Sequence, residues 1–274
     1  MSEKICLFAI DCQVDFCDPN GRLSVPGAHD DMTRLSSMIK KFGREIDDIQ
    51  ITMDSHYLVH VAHSRCWVNK KGNHPVPLFL YPDNKVPTPI TLADIQSGEW
   101  RAYNPAFQRR YESYVESLEK IGRYALMIWP DHCIIGHPGQ NLYSPFFEAV
   151  NEWEDRFFAI AKRTTKGSNP FTEHYSAVKA DVEDPKDSKT RLNTDLINLL
   201  KEYDIILGAG EALSHCFANT MRDVFNEFSP EQIKKFVLLE DATSSVPGCE
   251  KMGEDFIKEY TAKGMQTAKT TTFF

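Results

Sequence analysis

No uninterrupted hydrophobic stretch of the sequence approaches the length of about 20 residues that a membrane-spanning helix needs. The sequence also has no surplus of positive charge. The 39 Asp and Glu residues outnumber the 31 Lys and Arg residues and give a formal net charge of −8. A surface that binds nucleic acid or an anionic membrane is therefore not expected. No charged and apolar leader precedes the first apolar segment, so the sequence predicts no signal peptide and a cytoplasmic location.

A disulfide framework is not expected either. The chain has seven cysteines, an odd number, and no Cys-x-x-Cys pair. This usage is typical of reduced thiols in the cytoplasm. Five of the cysteines are interpreted as small buried hydrophobes or incidental thiols: Cys12, Cys17, Cys66, Cys133 and Cys249.

What the sequence does contain is an alternation of strand-like and helix-like segments. Strands are predicted at 5–10, 49–53, 157–161, 204–208 and 236–239, the first from a near-continuous apolar run. Amphipathic stretches separate them, such as the stripe of Met32, Leu35, Ile39 and Phe42, and Asn193 is expected to cap a later helix. The alternation predicts an α/β fold with three layers, in which helices cover both faces of a mostly parallel central sheet. Residues 1–274 are expected to form a single domain.

One region interrupts the alternation. From about residue 63 to 126 the chain is rich in proline, aromatic and charged residues. A disordered linker would not carry so many aromatics, so an ordered excursion is expected. It ends in a predicted helix whose apolar face contains Phe107, Tyr111, Tyr114, Leu118 and Ile121.

Reactive side chains recur where the predicted strands end, which is where parallel sheets bind their ligands. These side chains are Asp11, Asp54, His56, Lys166 and Cys216. Cys216 follows an apolar run that ends in glycines and is expected near the first turn of a helix. The free N–H groups and the positive dipole end there favour a thiolate and can hold an oxyanion.

Two kinds of chemistry follow from these residue types. Asp11, Lys166 and Cys216 together make a nucleophile with a base and a charge that tunes it. Asp54 and His56 have metal-ligand chemistry, which His60 or the distant His132 can complete.

Several sequence blocks occur together in one order between residue 5 and about residue 246. They are Asp11-Cys12-Gln13-Val14-Asp15-Phe16-Cys17, Asp54-Ser55-His56 with His60, Trp129-Pro130-Asp131-His132-Cys133, Lys166-Gly167 with Tyr175-Ser176-Ala177, Cys216-Phe217-Ala218-Asn219-Thr220 with Asp223, and Glu240-Asp241-Ala242-Thr243. This ordered set resembles the isochorismatase-like cysteine hydrolases and, within them, the nicotinamidases.

The resemblance implies an isochorismatase-like hydrolase fold and a hydrolase that acts on a linear amide. The implied reaction converts nicotinamide to nicotinic acid and ammonia through a thioester, a step of NAD salvage. Asp11, Lys166 and Cys216 would be catalytic, and the backbone amides of Ala212 and Cys216 would hold the oxyanion.

The resemblance also implies a metal held by Asp54, His56 and His132, with an open position for a ligand. The mixed ligand set favours Zn²⁺, with Fe²⁺ or Mn²⁺ as alternatives. His60 and His63 are interpreted as histidines packed around the ligands, and whether either assists the metal stays open.

Phe16 and Trp129 are, by the same resemblance, the walls of a slot for a flat ring. The expected partner is a small-molecule amide, without nucleic acid or membrane, and the chain is expected to form a homo-oligomer. The region at about 64–127 is longer than the family needs and is expected to form a lid or an oligomer contact near the metal.

The chain also departs from the family before the nucleophile, where G-x-A-T-D-x-C becomes Gly210-Glu211-Ala212-Leu213-Ser214-His215-Cys216. The family's cis peptide bond is expected at Glu211–Ala212. The changed residues keep two alternatives open. One is a metal-free hydrolase of the same fold that acts on another amide, a carbamoyl compound or an isochorismate-like vinyl ether. The other is a binding or scaffold protein without activity.

Overall fold

A six-stranded parallel sheet forms the centre of the computed structural model, which describes residues 3–77 and 89–274. The strand order is β5-β2-β1-β6-β7-β8, and β3 pairs with β4 in a separate antiparallel ribbon. The strands are β1 (Ile5–Ile10), β2 (Asp48–Asp54), β3 (Trp67–Val68), β4 (Arg101–Ala102), β5 (Lys162–Lys166), β6 (Ile205–Gly210), β7 (Phe236–Leu239) and β8 (Gln266–Ala268). The predicted fold class is confirmed.

Helices connect the parallel strands. They are α1 (Val14–Cys17), α2 (Ala28–Phe42), α3 (Leu92–Ser97), α4 (Gln108–Ile121), α5 (Ser144–Phe157), α6 (Thr194–Lys201), α7 (Ala218–Asn226), α8 (Pro230–Ile233) and α9 (Glu250–Ala262). The predicted stripe of α2 is buried at Met32, Leu35 and Ile39, and α2 packs against α5. Asn193 caps α6 as predicted, because its Oδ1 accepts a hydrogen bond from Leu196 N.

The burial of the central strands explains why the sequence pattern predicted the sheet. Cys6 to Ile10 of β1 are fully buried, since β1 lies between β2 and β6. A strand covered on both faces needs apolar side chains at every position. β1 therefore appears in the sequence as a continuous apolar run, as do β6 and β7, whereas β2 alternates apolar and polar residues.

The edge of the sheet did not follow the prediction. The strand predicted at 157–161 is wrong: Phe157 ends α5, and the strand lies at Lys162–Lys166. Phe158 and Ile160 face solvent, with 99% and 76% of their surface exposed. β5 is polar because it has one neighbouring strand and open surroundings, whereas the apolar run belongs to the helix end and the loop.

The chain builds the sheet outward from β1 in two directions, first to β2 and β5 and then to β6, β7 and β8. The reversal point lies between β1 and β6, where open α/β sheets bind ligands. Gly210 ends β6 with φ +105°, and a Cβ there would lie 2.0 Å from Ile10 O. Glycine is therefore required for the close approach of the two strands at this point.

The region predicted as an insertion at about 64–127 contains β3, α3, β4 and α4. Its residues 78–88 lie outside the described residues. The predicted apolar face of α4 is buried at Tyr111, Tyr114 and Leu118, whereas Ile121 is half-exposed. In the described ranges, no helix combines the length and the apolar character needed to cross a membrane.

Candidate active site

The strand ends bring together the charged side chains that the sequence placed there. Lys166 Nζ, at the end of β5, lies 2.9 Å from Asp11 Oδ2 and 3.1 Å from Asp54 Oδ1. It also lies 3.5 Å from Cys216 Sγ and donates a hydrogen bond to His174 O at 3.0 Å. The parallel register sets this geometry, because Asp54 is paired with Lys166 across β2 and β5.

Asp11 is fixed from the other side by β2. Thr52 Oγ1 donates a 2.6 Å hydrogen bond to Asp11 Oδ1, and the backbone of Asp11 has φ 46°. Burial raises the pKa of the Asp11 carboxyl, with Lys166 opposing that rise and Asp54 adding to it. A carboxylate with a raised pKa is a stronger proton acceptor than an exposed one.

Cys216 lies in a π-helical turn, Leu213–Phe217, that continues into α7. The Glu211–Ala212 peptide bond before this turn is cis, as predicted. The thiol is buried, and burial raises its pKa well above the usual value, although Lys166 opposes the rise. Burial, Asp11 and Asp54 together outweigh Lys166, which lowers the pKa of the thiol as the sequence predicted.

The lysine stays charged in this setting. Burial alone would lower the pKa of Lys166, but Asp11 and Asp54 raise it well above the ordinary value. The pKa of Asp54 is held well below its usual range, because His56 and Lys166 outweigh the effect of burial. The group at rest is a cation between two carboxyls, beside a thiol.

His56 and His132 are oriented by backbone carbonyls. His56 Nδ1 donates to Gly167 O at 3.0 Å, and His132 Nδ1 donates to Pro130 O at 2.8 Å. A carbonyl oxygen only accepts, so both Nδ1 atoms carry a hydrogen, and in the neutral form of each ring Nε2 presents a lone pair. These Nε2 atoms lie 3.0 and 3.3 Å from Asp54 Oδ2.

This arrangement fits a divalent metal ion. Three possible ligands converge, and His56 Nε2 has no hydrogen bond within the described residues. Carbonyl-anchored imidazoles with a carboxylate are a usual transition-metal ligand set. Gly167, with φ +81°, leaves the room, since a Cβ there would lie 2.6 Å from the His56 ring.

A small cavity joins the charged cluster to the aromatic residues that the sequence singled out. Its lining residues are Phe16, Leu23, Val25, Asp54, Trp129, His132, Glu173, Tyr175, Ala212, His215, Cys216 and Val246. Trp129 Nε1 donates to Tyr175 OH at 2.7 Å, and the Phe16 ring meets the His132 ring edge-on at 5.5 Å. All the residues named from the sequence as nucleophile, ligand or ring wall thus lie in or beside one cavity.

Three polar residues of the cavity lining were not assigned a role from the sequence. Tyr175 belongs to a block that resembles the lysine loop, and His215 stands in the stretch that departs from the family pattern. Glu173 carried no sequence signal, because an acidic residue in a loop is typical of a solvated surface. It is buried here.

No family model matches the sequence, and no curated protein matches it. Solved structures do resemble it. The yeast nicotinamidase has a TM-score of 0.62 and 18% identity, over 96% of this chain and 99% of that chain. PnC1 from L. infantum in complex with nicotinate has a TM-score of 0.59 and 19% identity, over 99% and 95%. The Pyrococcus horikoshii pyrazinamidase in complex with zinc has a TM-score of 0.54 and 17% identity, over 97% and 99%. This chain therefore has the fold of the nicotinamidase and pyrazinamidase structures.

Proposed function

We propose that this protein hydrolyses nicotinamide to nicotinic acid and ammonia. The observation that carries the proposal is the shared cavity. Cys216 lies in it with Asp54 and His132, beside the rings of Phe16 and Trp129. Aromatic walls suit a flat ring, and a metal site suits its nitrogen lone pair. The nicotinamidases and pyrazinamidases of the same fold support this substrate class.

Proton transfer from the thiol starts the reaction. Asp11 accepts the proton of Cys216. Burial raises the pKa of the Asp11 carboxyl, which favours this transfer, and it also raises the pKa of the thiol, which opposes it. Lys166 touches both groups and stabilises the negative charge as it moves from the carboxylate to the sulfur. The thiolate therefore forms when the substrate is in place.

The thiolate then attacks the amide carbonyl and forms the C–S bond. The backbone N–H groups of Ala212 and Cys216, on the turn that begins at the cis peptide, receive the oxyanion. The C–N bond breaks, and ammonia leaves with the proton that Asp11 returns. A water molecule hydrolyses the thioester, giving up a proton to Asp11, and restores the Cys216 thiol with nicotinic acid as product.

Asp54, His56 and His132 would hold the metal ion. When bound, the ion supplies a Lewis-acid position for the ring nitrogen and thereby aims the carboxamide at Cys216. Zn²⁺ is the proposed ion, with Fe²⁺ or Mn²⁺ as alternatives. The protein's own contribution is to orient the ring between Phe16 and Trp129. Homo-oligomer formation stays a prediction.

The test compares three amides with metal-loaded protein. Nicotinamide and pyrazinamide should both release ammonia, because each has a ring nitrogen at the corresponding position. Benzamide lacks that nitrogen and should be a much poorer substrate. Undetectable ammonia from nicotinamide, or equal cleavage of benzamide, would reject the proposal in favour of an amidase of the same fold with another substrate.

A further inference from the structure

His60 and His63 lie beside the proposed Asp54 site, and each can offer a ring nitrogen that this site does not use. His60 Nε2 donates to Thr172 O at 3.2 Å, and His63 Nδ1 donates to Leu58 O at 3.2 Å. Both rings are fully buried and pack against the His56 ring, with centroids 4.4 and 5.4 Å away. Each of the two therefore presents its other nitrogen as an acceptor, anchored in the same way as His56 and His132.

His60 faces a second acceptor. Its Nδ1 lies 4.0 Å from Glu173 Oε2. Glu173 Oε1 accepts from His174 N at 2.8 Å, and the only hydrogen that His60 Nδ1 receives in the described ranges is from Ala62 N, at 3.3 Å. The 3.3 Å hydrogen bond from Ala62 satisfies the lone pair only weakly, and a positive charge between Nδ1 and the carboxylate oxygen would stabilise both.

Glu173 is also held in place. Its backbone N–H donates to Tyr114 OH of α4 at 3.3 Å, so the region that exceeds the family length supports this residue. The carboxylate is at once beside His60 and part of the cavity lining. A cation at this position would keep coordination sites open to the cavity.

We propose that His60 and Glu173 form a second divalent-cation position beside the one held by Asp54, His56 and His132. The ligand atoms of His56, His60 and Glu173 all lie within 4.8 Å of one another, so the two positions are adjacent, as in two-metal centres. His56 Nε2 can serve only one ion. The second ion therefore has two protein ligands, an imidazole and a carboxylate, which suit Zn²⁺ or Mn²⁺.

The charges set the order of binding. Asp11, Asp54 and Glu173 are three carboxyls in or beside the cavity, and the ammonium group of Lys166 contacts the first two. One divalent ion balances that surplus of negative charge, and a second ion exceeds it. The first ion is therefore held tightly and the second more weakly.

The experiment counts ions in the parent protein. Metal-stripped protein is titrated with Zn²⁺ and separately with Mn²⁺, and bound metal is measured after equilibrium dialysis. The expected result is one tight and one weaker equivalent. Glu173→Gln should lose the weaker equivalent and keep the tight one. Glu183→Gln, an exposed glutamate further along the same loop, is the matched control and should keep both.

A single equivalent in the parent protein would overturn the proposal, and so would a weaker equivalent that Glu173→Gln retains. A crystal of the parent protein soaked in Mn²⁺ tests the position without any variant. Two anomalous peaks are expected, the second in contact with His60 Nδ1 and Glu173. One peak only, or a second peak elsewhere, contradicts the proposal. Because the count needs no turnover, its result is independent of whether nicotinamide is the substrate.

Discussion

The two sides of the cavity are built differently. On one side, Asp11, Asp54, Lys166 and Cys216 stand at or just after the ends of parallel strands, and strand register fixes their distances. On the other side, loops carry Glu173, Tyr175 and the histidines that follow His56. These loop residues are held by hydrogen bonds to carbonyls and to neighbouring side chains. The sheet side holds the proposed reactive groups, and the loop side holds what would select and orient a ligand.

The largest effect is expected on the sheet side. Cys216→Ala should lower kcat for nicotinamide by about four to six powers of ten while nicotinamide still binds, because the remaining site can only position a water molecule. Cys249→Ala, a partly exposed cysteine away from the cavity, is the matched control and should keep parental kcat. Activity of the Cys216 variant within tenfold of the parent protein would remove the nucleophile assignment.

Lys166→Ala should be the next most severe change. The variant leaves two buried carboxyls without their cation, so we expect lower stability, by about 3–5 kcal/mol, and a large loss of kcat. Lys166 opposes the rise of the Cys216 pKa, so its loss should move thiol alkylation to still higher pH. Lys162→Ala changes an exposed lysine on the same strand and should leave the alkylation profile unchanged. An unchanged profile in the Lys166 variant would show that the ammonium does not act on the thiol.

Two histidine variants should distinguish a ligand of the metal from a residue that only packs around the ligands. His132→Ala should lose the tight equivalent of metal together with activity, because one of three protein ligands is gone. His63→Ala should keep the tight equivalent, with at most a ten- to a hundredfold weaker affinity, as is usual for a residue packed around a ligand. Metal content after dialysis checks both variants. Equal metal loss in the two would mean that the ligands have been wrongly chosen.

The two sides of the cavity also differ in how well the sequence predicted them. Asp11 and Asp54 were placed correctly because the strands before them are buried, so that β1 is continuously apolar and β2 has an apolar residue at every second position. Strand β5 was misplaced because an edge strand has no such run, although Lys166 at its end was identified. Glu173 was missed because residues far apart in the chain surround it, such as Tyr114 of α4, whose hydroxyl accepts a hydrogen bond from the Glu173 backbone. No local pattern indicates such a contact.

A smaller effect is expected at Tyr175, and it should distinguish binding of the substrate ring from the chemical step. Tyr175→Phe removes the hydroxyl that accepts the Trp129 Nε1 hydrogen, so one contact that orients the indole ring is lost, at a cost of about 0.5–1.5 kcal/mol. We expect KM for nicotinamide to rise by about tenfold, with kcat changed less. Tyr57→Phe, at an exposed tyrosine, is the control for loss of a hydroxyl. A fall in kcat at constant KM would assign Tyr175 to the chemical step instead.

The smallest effect concerns Glu211, buried before the cis peptide. Burial raises its pKa well above the usual value, and Asp31 raises it further. As pH rises, Glu211 therefore ionises first in the unfolded chain, where a glutamate has a pKa of about 4.3. Between about pH 4.3 and the raised pKa of Glu211 in the folded protein, the free energy of unfolding falls as pH increases. Glu211→Gln should have a higher Tm than the parent protein at pH 8, and the difference should shrink toward pH 4.5. A difference that grows on acidification would contradict the assignment.

The most direct test of the account is to trap the acyl group on its way through Cys216. Metal-loaded protein turning over nicotinamide in the presence of hydroxylamine should form nicotinohydroxamic acid at the expense of nicotinic acid, because hydroxylamine competes with water for the thioester. One ammonia should still be released for each nicotinamide consumed, and the Cys216→Ala protein should form no hydroxamate. Ammonia and nicotinic acid in equal amounts, with no hydroxamate at any hydroxylamine concentration, would mean that water attacks the amide directly. That result would contradict a covalent reaction at Cys216.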